Sequence, residues 1–143
     1  MSGKRDLYIG GQWVAAKNNA TFPVYNPSTG EVWANVADAS RSDAAAAIAA
    51  AAAAQPAWAA LSHSERARLL SKVADVMTAR QKELQEALVD EGGSWIGKTM
   101  FETGYSIGVY RAAAAAAYQV TGETLPPDHG KLSLLVREPL GVV

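Results

Sequence analysis

Cysteine is absent from the 143 residues. Its absence excludes a disulfide framework, a thiolate metal site and a cysteine nucleophile within this stretch. Histidine occurs only at 63 and 129, with no partner spaced for a metal. No Gly-x-Gly-x-x-Gly occurs. Charge of one sign is missing as well: thirteen Lys and Arg face fourteen Asp and Glu, interspersed, for a formal charge of −1. Without a basic face, nucleic acid is not an expected partner. Long apolar runs are lacking too. The stretches 44–60 and 104–120 are rich in alanine, which is barely apolar, and are interrupted by Gln55-Pro56 and by Arg111, so no membrane span is expected. The polar start Met1-Ser2-Gly3-Lys4-Arg5-Asp6 has no apolar secretion core, and the expected location is the cytoplasm.

What is present is apolar in number more than in size. Hydrophobic residues make up 49% of the chain, but much of that is alanine, whose methyl buries little area at roughly 25 cal/mol per Å2. The core is therefore expected from Trp13, Trp33, Trp58, Trp95, Phe22, Phe101 and the scattered Leu, Ile and Val.

Leu7-Tyr8-Ile9, Gly10-Gly11 and Gln12-Trp13-Val14 read as a hairpin, because its tight turns need positive φ at both central residues. Phe22 to Tyr25, Asn26-Pro27-Ser28-Thr29-Gly30-Glu31 and Val32 to Val36 read as strand, turn, strand. The turn could contact a metal or cofactor, but Asn, Pro and Gly together are explained by geometry. Ser40-Arg41-Ser42-Asp43 fits a capping box for an alanine helix ended by Gln55-Pro56; its smooth face suggests a close backbone neighbour, with a low-complexity linker as the alternative. Trp58 and Leu61 are expected in a loop. Ser62-His63-Ser64-Glu65 caps a second helix, with Leu69, Leu70, Val73, Val76 and Met77 on one face. A shorter helix through Leu84, Leu88 and Val89 closes at Gly92-Gly93. A long helix opens at Lys98 or Thr99 and stops at Gly122; Gly104 and Gly108 within it permit close approach by a backbone or a ligand, and packing is the preferred reading. Leu125 to Gly130 reads as a rigid exposed loop, and Lys131 to Glu138 as a strand that needs a sheet. After Pro139, the uncharged Leu140, Val142 and Val143 read as the opening of a buried strand.

The polar residues do not assemble a catalytic set. Ser28, Ser62, Ser64 and Ser94 stand in turn or cap contexts, His63 and His129 are expected toward solvent, and Glu91, Glu102, Glu123 and Glu138 suit ion pairs before general bases.

Two segments carry a resemblance. Arg137-Glu138-Pro139-Leu140-Gly141-Val142-Val143 resembles the passage by which NAD(P)-dependent aldehyde dehydrogenases enter the first strand of their dinucleotide-binding domain, and Asn26 to Glu31 resembles a turn near the start of those enzymes. The order between them is similar across nearly the whole chain: hairpin, Trp58, the Ser64-Glu65-Arg66 helix start, a glycine-terminated helix, and a long helix ending at Gly122-Glu123. Glu91-Gly92-Gly93-Ser94, Lys98, Phe101-Glu102 and Leu125-Pro126-Pro127-Asp128 look most like the benzaldehyde and vanillin dehydrogenases.

The resemblance implies an α/β, aldehyde dehydrogenase-like fold, of which this chain supplies a mainly helical portion with an N-terminal β-hairpin and a C-terminal arm strand. It implies hairpin and helices at 1–125, an oligomerisation arm at 126–138, and the start of a dinucleotide-binding strand at 139–143. The family oxidises an aldehyde to a carboxylic acid: a cysteine thiolate attacks the carbonyl, hydride passes to NAD or NADP, and a glutamate activates water. Those residues and the cofactor-binding residues come beyond Val143 in the family, so none is expected here and the chain alone is expected to be inactive. Tyr105, on the helix that resembles the border of the substrate entrance, is the one candidate substrate contact, with a core or surface tyrosine as the preferred reading, since aromatic residues at helical spacing usually pack. An aldehyde is the implied small-molecule partner, and Lys131 to Glu138 implies a homo-oligomer, dimer or tetramer. The alternatives are a non-catalytic assembly or binding module acting through the arm strand, and a helical lipid-surface binder, disfavoured because the alanine helix lacks a cationic face.

Overall fold

The structure is a computed structural model describing residues 3–143. Near the N-terminus, β1 (Gly3–Arg5) runs parallel to β5 (Val32–Ala37), which pairs antiparallel with β4 (Thr21–Tyr25) in a three-stranded sheet. Between them in sequence, β2 (Leu7–Ile9) and β3 (Gln12–Val14) form the expected hairpin: Tyr8 opposes Trp13 with ring centroids 5.0 Å apart, and Gly10 and Gly11 take φ of 59° and 82°. The turn from β4 to β5 is built by Asn26. Its Oδ1 accepts from the backbone N–H of Ser28 at 2.9 Å and of Thr29 at 3.3 Å, while its own N–H donates to the Glu31 carbonyl at 2.9 Å. The Asn side chain is consumed by the turn.

The first helix, α1 (Arg41–Ala59), starts at a complete capping box: Asp43 Oδ2 accepts from Ser40 N–H at 2.9 Å and from Ser40 Oγ at 2.7 Å. Lys17 N–H also donates to this buried carboxylate, at 3.3 Å, so one side chain ties the helix start to the strand region. Helix α1 does not end at Gln55-Pro56. Pro56 lies within the last turn, and the Ala60 N–H still donates to its carbonyl. A proline ring has helical φ and removes only one backbone donor, and the surrounding alanines have the propensity to absorb that loss. Trp58 is consequently helical and not in a loop. The alanines of α1 are largely exposed, and a close neighbour is met at the hairpin, where a Cβ at Gly10 would stand 3.9 Å from Ala50 Cβ.

Because the Asp43 carboxylate accepts hydrogen bonds chiefly from Ser40, and then from Lys17, its pKa is held below the ordinary carboxylate value. A depressed pKa stabilises the fold above the unfolded-state value, and that contribution is lost as the pH falls through the folded-state value. Asp43→Asn is therefore expected to melt below the wild type at neutral pH, with the two thermal midpoints converging below about pH 4. A constant gap down to acid pH, followed by circular dichroism, would count against this role.

Helix α2 (His63–Ala79) begins at the predicted Ser62/Glu65 box, α3 (Gln81–Gly92) ends at Gly93, and α4 (Ile96–Ala116) begins before Lys98 and runs into a 3-10 turn at Ala117–Gln119. The helical part of the core lies between α2 and α4 and is made of small side chains, while Ala16, Ala34 and Ala37 are buried in the strand region. Ala67 and Ala74 on α2 face the α4 side that buries Thr99, Thr103, Ile107 and Ala114, and both Ala74 and Thr99 are 0% exposed. The threonines satisfy their hydroxyls within α4: Thr99 Oγ1 donates to Ile96 O at 2.9 Å and Thr103 Oγ1 to Thr99 O at 2.8 Å. Large residues expected in the core lie outside it, with Trp13 70%, Trp95 75% and Phe101 70% exposed, while Trp33 is half-buried under the Arg5 guanidinium. Two helices that meet on small side chains approach too closely to admit large ones between them.

The last elements are β6 (Glu123–Asp128) and β7 (Lys131–Leu135), an antiparallel hairpin turning at His129-Gly130. The segment expected as a loop from Leu125 is thus mostly strand, and the sheet that Lys131 onward was expected to need is supplied by β6. Pro126-Pro127 falls where the register breaks between Leu125 and Asp128, since neither proline has a donor for the ladder. The strand expected at Leu140 to Val143 is not formed; Leu140 is 95% exposed, and no described strand lies alongside to take its backbone hydrogen bonds. No helix is long and apolar enough to cross a membrane among the described residues.

Candidate functional site

Helix α4 has two unlike faces. Thr99, Thr103 and Ile107 recur every four residues on the buried face of α4, which packs against α2 and α3. Phe101, Gly104, Tyr105 and Gly108 follow the 3-4 spacing of the opposite face, which is open. Tyr105 is 65% exposed and stacks on Phe101, one turn earlier, with centroids 5.8 Å apart and planes inclined by 17°. A Cβ added at Gly104 or Gly108 would meet nothing within 4 Å. The close packing expected at these glycines is therefore not made among the described residues; they leave a shelf of bare backbone beside two aromatic rings.

The shelf borders a groove of about 460 Å3 between α3 and α4. Leu84, Ala87 and Leu88 form its α3 wall, Tyr105 and Ser106 its α4 wall, and Met77 one end. Its polar floor is already engaged, because Thr103 Oγ1 accepts from Gln85 Nε2 at 3.1 Å and from Gln81 Nε2 at 3.3 Å. Glu102, on the rim, pairs with Lys98 at 3.1 Å. A second open groove, about 420 Å3, gathers the large apolar residues of α2, Leu69, Leu70, Val73, Val76 and Met77, with Trp58.

Neither groove contains acid-base machinery. The depressed carboxylates are Asp43 and Glu65, held down by their Ser40 and Ser62 caps, and Glu83, held down by Arg80, whose own pKa is raised by the same pair. His63 is exposed as expected, but it is occupied: its Nδ1 lies 2.9 Å from the Ala117 carbonyl, an acceptor, so Nδ1 carries the proton and the ring tethers the start of α2 to the end of α4. Ser28 donates its backbone N–H to Asn26, Ser62 is a helix cap, Ser64 bonds Ser62, and Ser94 Oγ accepts from Lys98 Nζ at 3.3 Å. No group of three or more His, Cys, Asp or Glu could hold a metal among the described residues. What α4 and α3 can offer is shape and an aromatic wall.

The sequence matches the aldehyde dehydrogenase family over residues 13–143. The chain belongs to the aldehyde dehydrogenase family. It is 42% identical over 140 residues to vanillin dehydrogenase from Pseudomonas fluorescens, an alignment that covers 96% of this chain and 28% of that protein. Its structure superposes with a TM-score of 0.92 on a salicylaldehyde dehydrogenase from Pseudomonas putida G7 complexed with salicylaldehyde, at 37% identity over 96% of this chain and 29% of the other. PnpE in complex with nicotinamide adenine dinucleotide is similar at 32% identity and a TM-score of 0.86, covering 90% of this chain and 26% of that one. The chain thus spans less than a third of the length of these dehydrogenases. Neither comparison supports a non-catalytic assembly module. The aldehyde dehydrogenase-like fold and the aromatic-aldehyde branch, read from Glu91 to Ser94, Lys98, Phe101-Glu102 and Leu125 to Asp128, both agree with these relatives.

Phe101 escaped notice as a partner of Tyr105 although the signal was available: aromatic residues four apart on a helix meet. The α3 wall of the groove had no such signal, since it depends on how α3 docks beside α4.

Proposed function

We propose that these residues are the N-terminal part of a cytoplasmic NAD(P)-dependent oxidoreductase that oxidises an aldehyde, of the aromatic class, to a carboxylic acid. The observation that carries the reading is the 42% identity to a vanillin dehydrogenase across 96% of the chain. The open grooves on α2 and α4 accord with it, because apolar faces of this extent suit burial by further polypeptide better than water. In this reading residues 1–125 are the hairpin and helices that pack on the cofactor domain, 126–138 the arm of a dimer or tetramer through Lys131 to Glu138, and 139–143 the start of a dinucleotide-binding strand. Gly92 to Thr99 spell Gly-x-x-x-x-Gly-Lys-Thr, but they follow helix α3 and not a strand, and Thr99 is buried with its Oγ1 donating to Ile96 O, so they do not form a phosphate loop; none of these side chains is assigned to NAD or NADP, and no catalytic step is assigned to them.

The role left to this chain is to shape the way in. Tyr105 stands on the open face of α4 with Phe101 behind it, a position from which an aromatic aldehyde can be stacked and oriented. The test is to express the uninterrupted reading frame and follow reduced nicotinamide formation with vanillin and salicylaldehyde against an aliphatic aldehyde, with NAD and NADP in turn. Oxidation of the aromatic aldehydes is expected; oxidation of none defeats the assignment. Tyr105→Ala is expected to raise KM for an aromatic aldehyde roughly three- to tenfold while kcat changes little, the loss of one stacking contact. Unchanged KM for both aldehyde classes would remove Tyr105 from the entrance.

A further inference from the structure

The α3–α4 groove has its two walls joined at one end by a short corner, Gly92-Gly93-Ser94-Trp95, and tied across its floor by Gln81 and Gln85 on Thr103, so the placement of that corner sets how far apart the walls stand at the corner end. Gly93 caps α3 in the left-handed conformation, with φ of 59°, and its N–H donates to Leu88 O. Three residues later α4 begins, and its first turns carry Lys98, Phe101 and Tyr105. A distant part of the chain holds the corner. The ring of Pro27 lies on Gly93 so closely that a Cβ there would stand 2.6 Å from Pro27 Cγ. Pro27 in turn is fixed: it follows Asn26, whose side chain and backbone organise the turn, and Gly30 N–H closes that turn onto Asn26 O at 2.8 Å. On the far side of the corner, Lys98 Nζ donates to Ser94 Oγ and pairs with Glu102 at 3.1 Å, linking the corner to the rim of the groove.

We propose that the Pro27–Gly93 contact is a latch that sets the spacing of α3 and α4, making Pro27 a positioning residue for the aromatic entrance formed by Phe101 and Tyr105. The inference rests on the reading of Tyr105 as an entrance residue. The latch works by restricted freedom: the proline ring can change only its pucker, its φ is fixed, and the turn beneath it is hydrogen-bonded, so the corner is pressed from outside by a surface with little room to yield. Loss of the ring leaves the corner free to shift, the walls part or close, and an aromatic aldehyde meets a groove of the wrong width. Chemistry elsewhere in the enzyme is untouched, so the effect is confined to capture of the substrate.

The experiment uses the full-length enzyme, with Pro27→Ala as the latch variant, Tyr105→Ala as the entrance variant and Ser40→Ala as a structural control at the start of α1, remote from the corner. The expected result is a KM for vanillin raised about threefold or more in Pro27→Ala, with kcat within about twofold and KM for the nicotinamide cofactor unchanged, while Ser40→Ala leaves KM alone. If Tyr105→Ala raises KM and Pro27→Ala does not, the latch is overturned and the entrance stands. If neither moves KM, the entrance reading fails and the latch falls with it. If Pro27→Ala lowers kcat in proportion to a loss of folded enzyme, with KM constant, the contact is structural only and the proposal is overturned.

Discussion

Gly93→Ala is expected to lower the unfolding free energy by roughly 2 to 4 kcal/mol, whereas Gly92→Ala, one residue earlier, is expected to leave it unchanged or raise it by up to about 1 kcal/mol. Two independent penalties meet at Gly93. A side chain at a φ of 59° costs on the order of 1 kcal/mol, and its methyl would overlap the Pro27 ring at 2.6 Å, an overpacking that costs roughly 1 to 3 kcal/mol more. The ring cannot swing away, because its own turn holds it. Gly92 is the last residue of α3, and a Cβ there would meet only Ser94 Oγ, at an ordinary 3.5 Å. Alanine at that point removes the entropy that glycine loses in a helix. Urea unfolding followed by circular dichroism separates the two: the Gly93→Ala midpoint is expected to drop with little change in slope, and equal midpoints for the two variants would refute the claim that Pro27 presses on this corner.

The capped starts of α1 and α2 were the most legible features of the chain. Both capping boxes, Ser40 with Asp43 and Ser62 with Glu65, form as their spacing implies, because a cap is a local bargain between residues three apart. The β2–β3 hairpin and the Asn26 turn are local in the same sense. The core was not legible, because nothing in the spacing of Leu69, Leu70, Val73, Val76 and Met77 says that α4 would choose the neighbouring stripe of Ala67 and Ala74 instead. Hydrophobic periodicity finds the face with the largest transfer free energy, but helix partners are chosen by how closely two surfaces fit, and α4 offers a threonine and alanine surface. Pro56 misled for a related reason: its breaking tendency is an average over positions, and here it lies within the last turn of α1, where the helix was about to stop. The entrance was half legible. Tyr105 could be named from its helix, but the shelf at Gly104 and Gly108 and the wall at Leu84 and Leu88 exist only once α3 and α4 are placed side by side.

That division between a packed small face and an open large face gives opposite expectations for adjacent residues of α2. Ala74 is 0% exposed in the seam with α4, and its carbonyl accepts from Thr78 Oγ1 at 2.8 Å. Ala74→Leu adds three carbon atoms to that seam. The buried face of α4 carries Thr99 and Thr103, locked by hydrogen bonds to their own helix, with Ile107 and Ala114, so added volume at Ala74 must push the helix axes apart. The expected cost is about 3 kcal/mol, enough to unfold a marginal domain near body temperature. Val73 lies on the open groove and is 39% exposed. Val73→Ala removes atoms that water already reaches in part, and in the 143-residue chain it is expected to cost less than about 1 kcal/mol. A reading from apolar pattern alone ranks the two the other way, since it counts valine as core and alanine as filler. Thermal denaturation of both variants decides between the two rankings: if Val73→Ala melts lower than Ala74→Leu, the contact that holds α2 to α4 is made by the large face, and the small-residue seam is not the core of this chain.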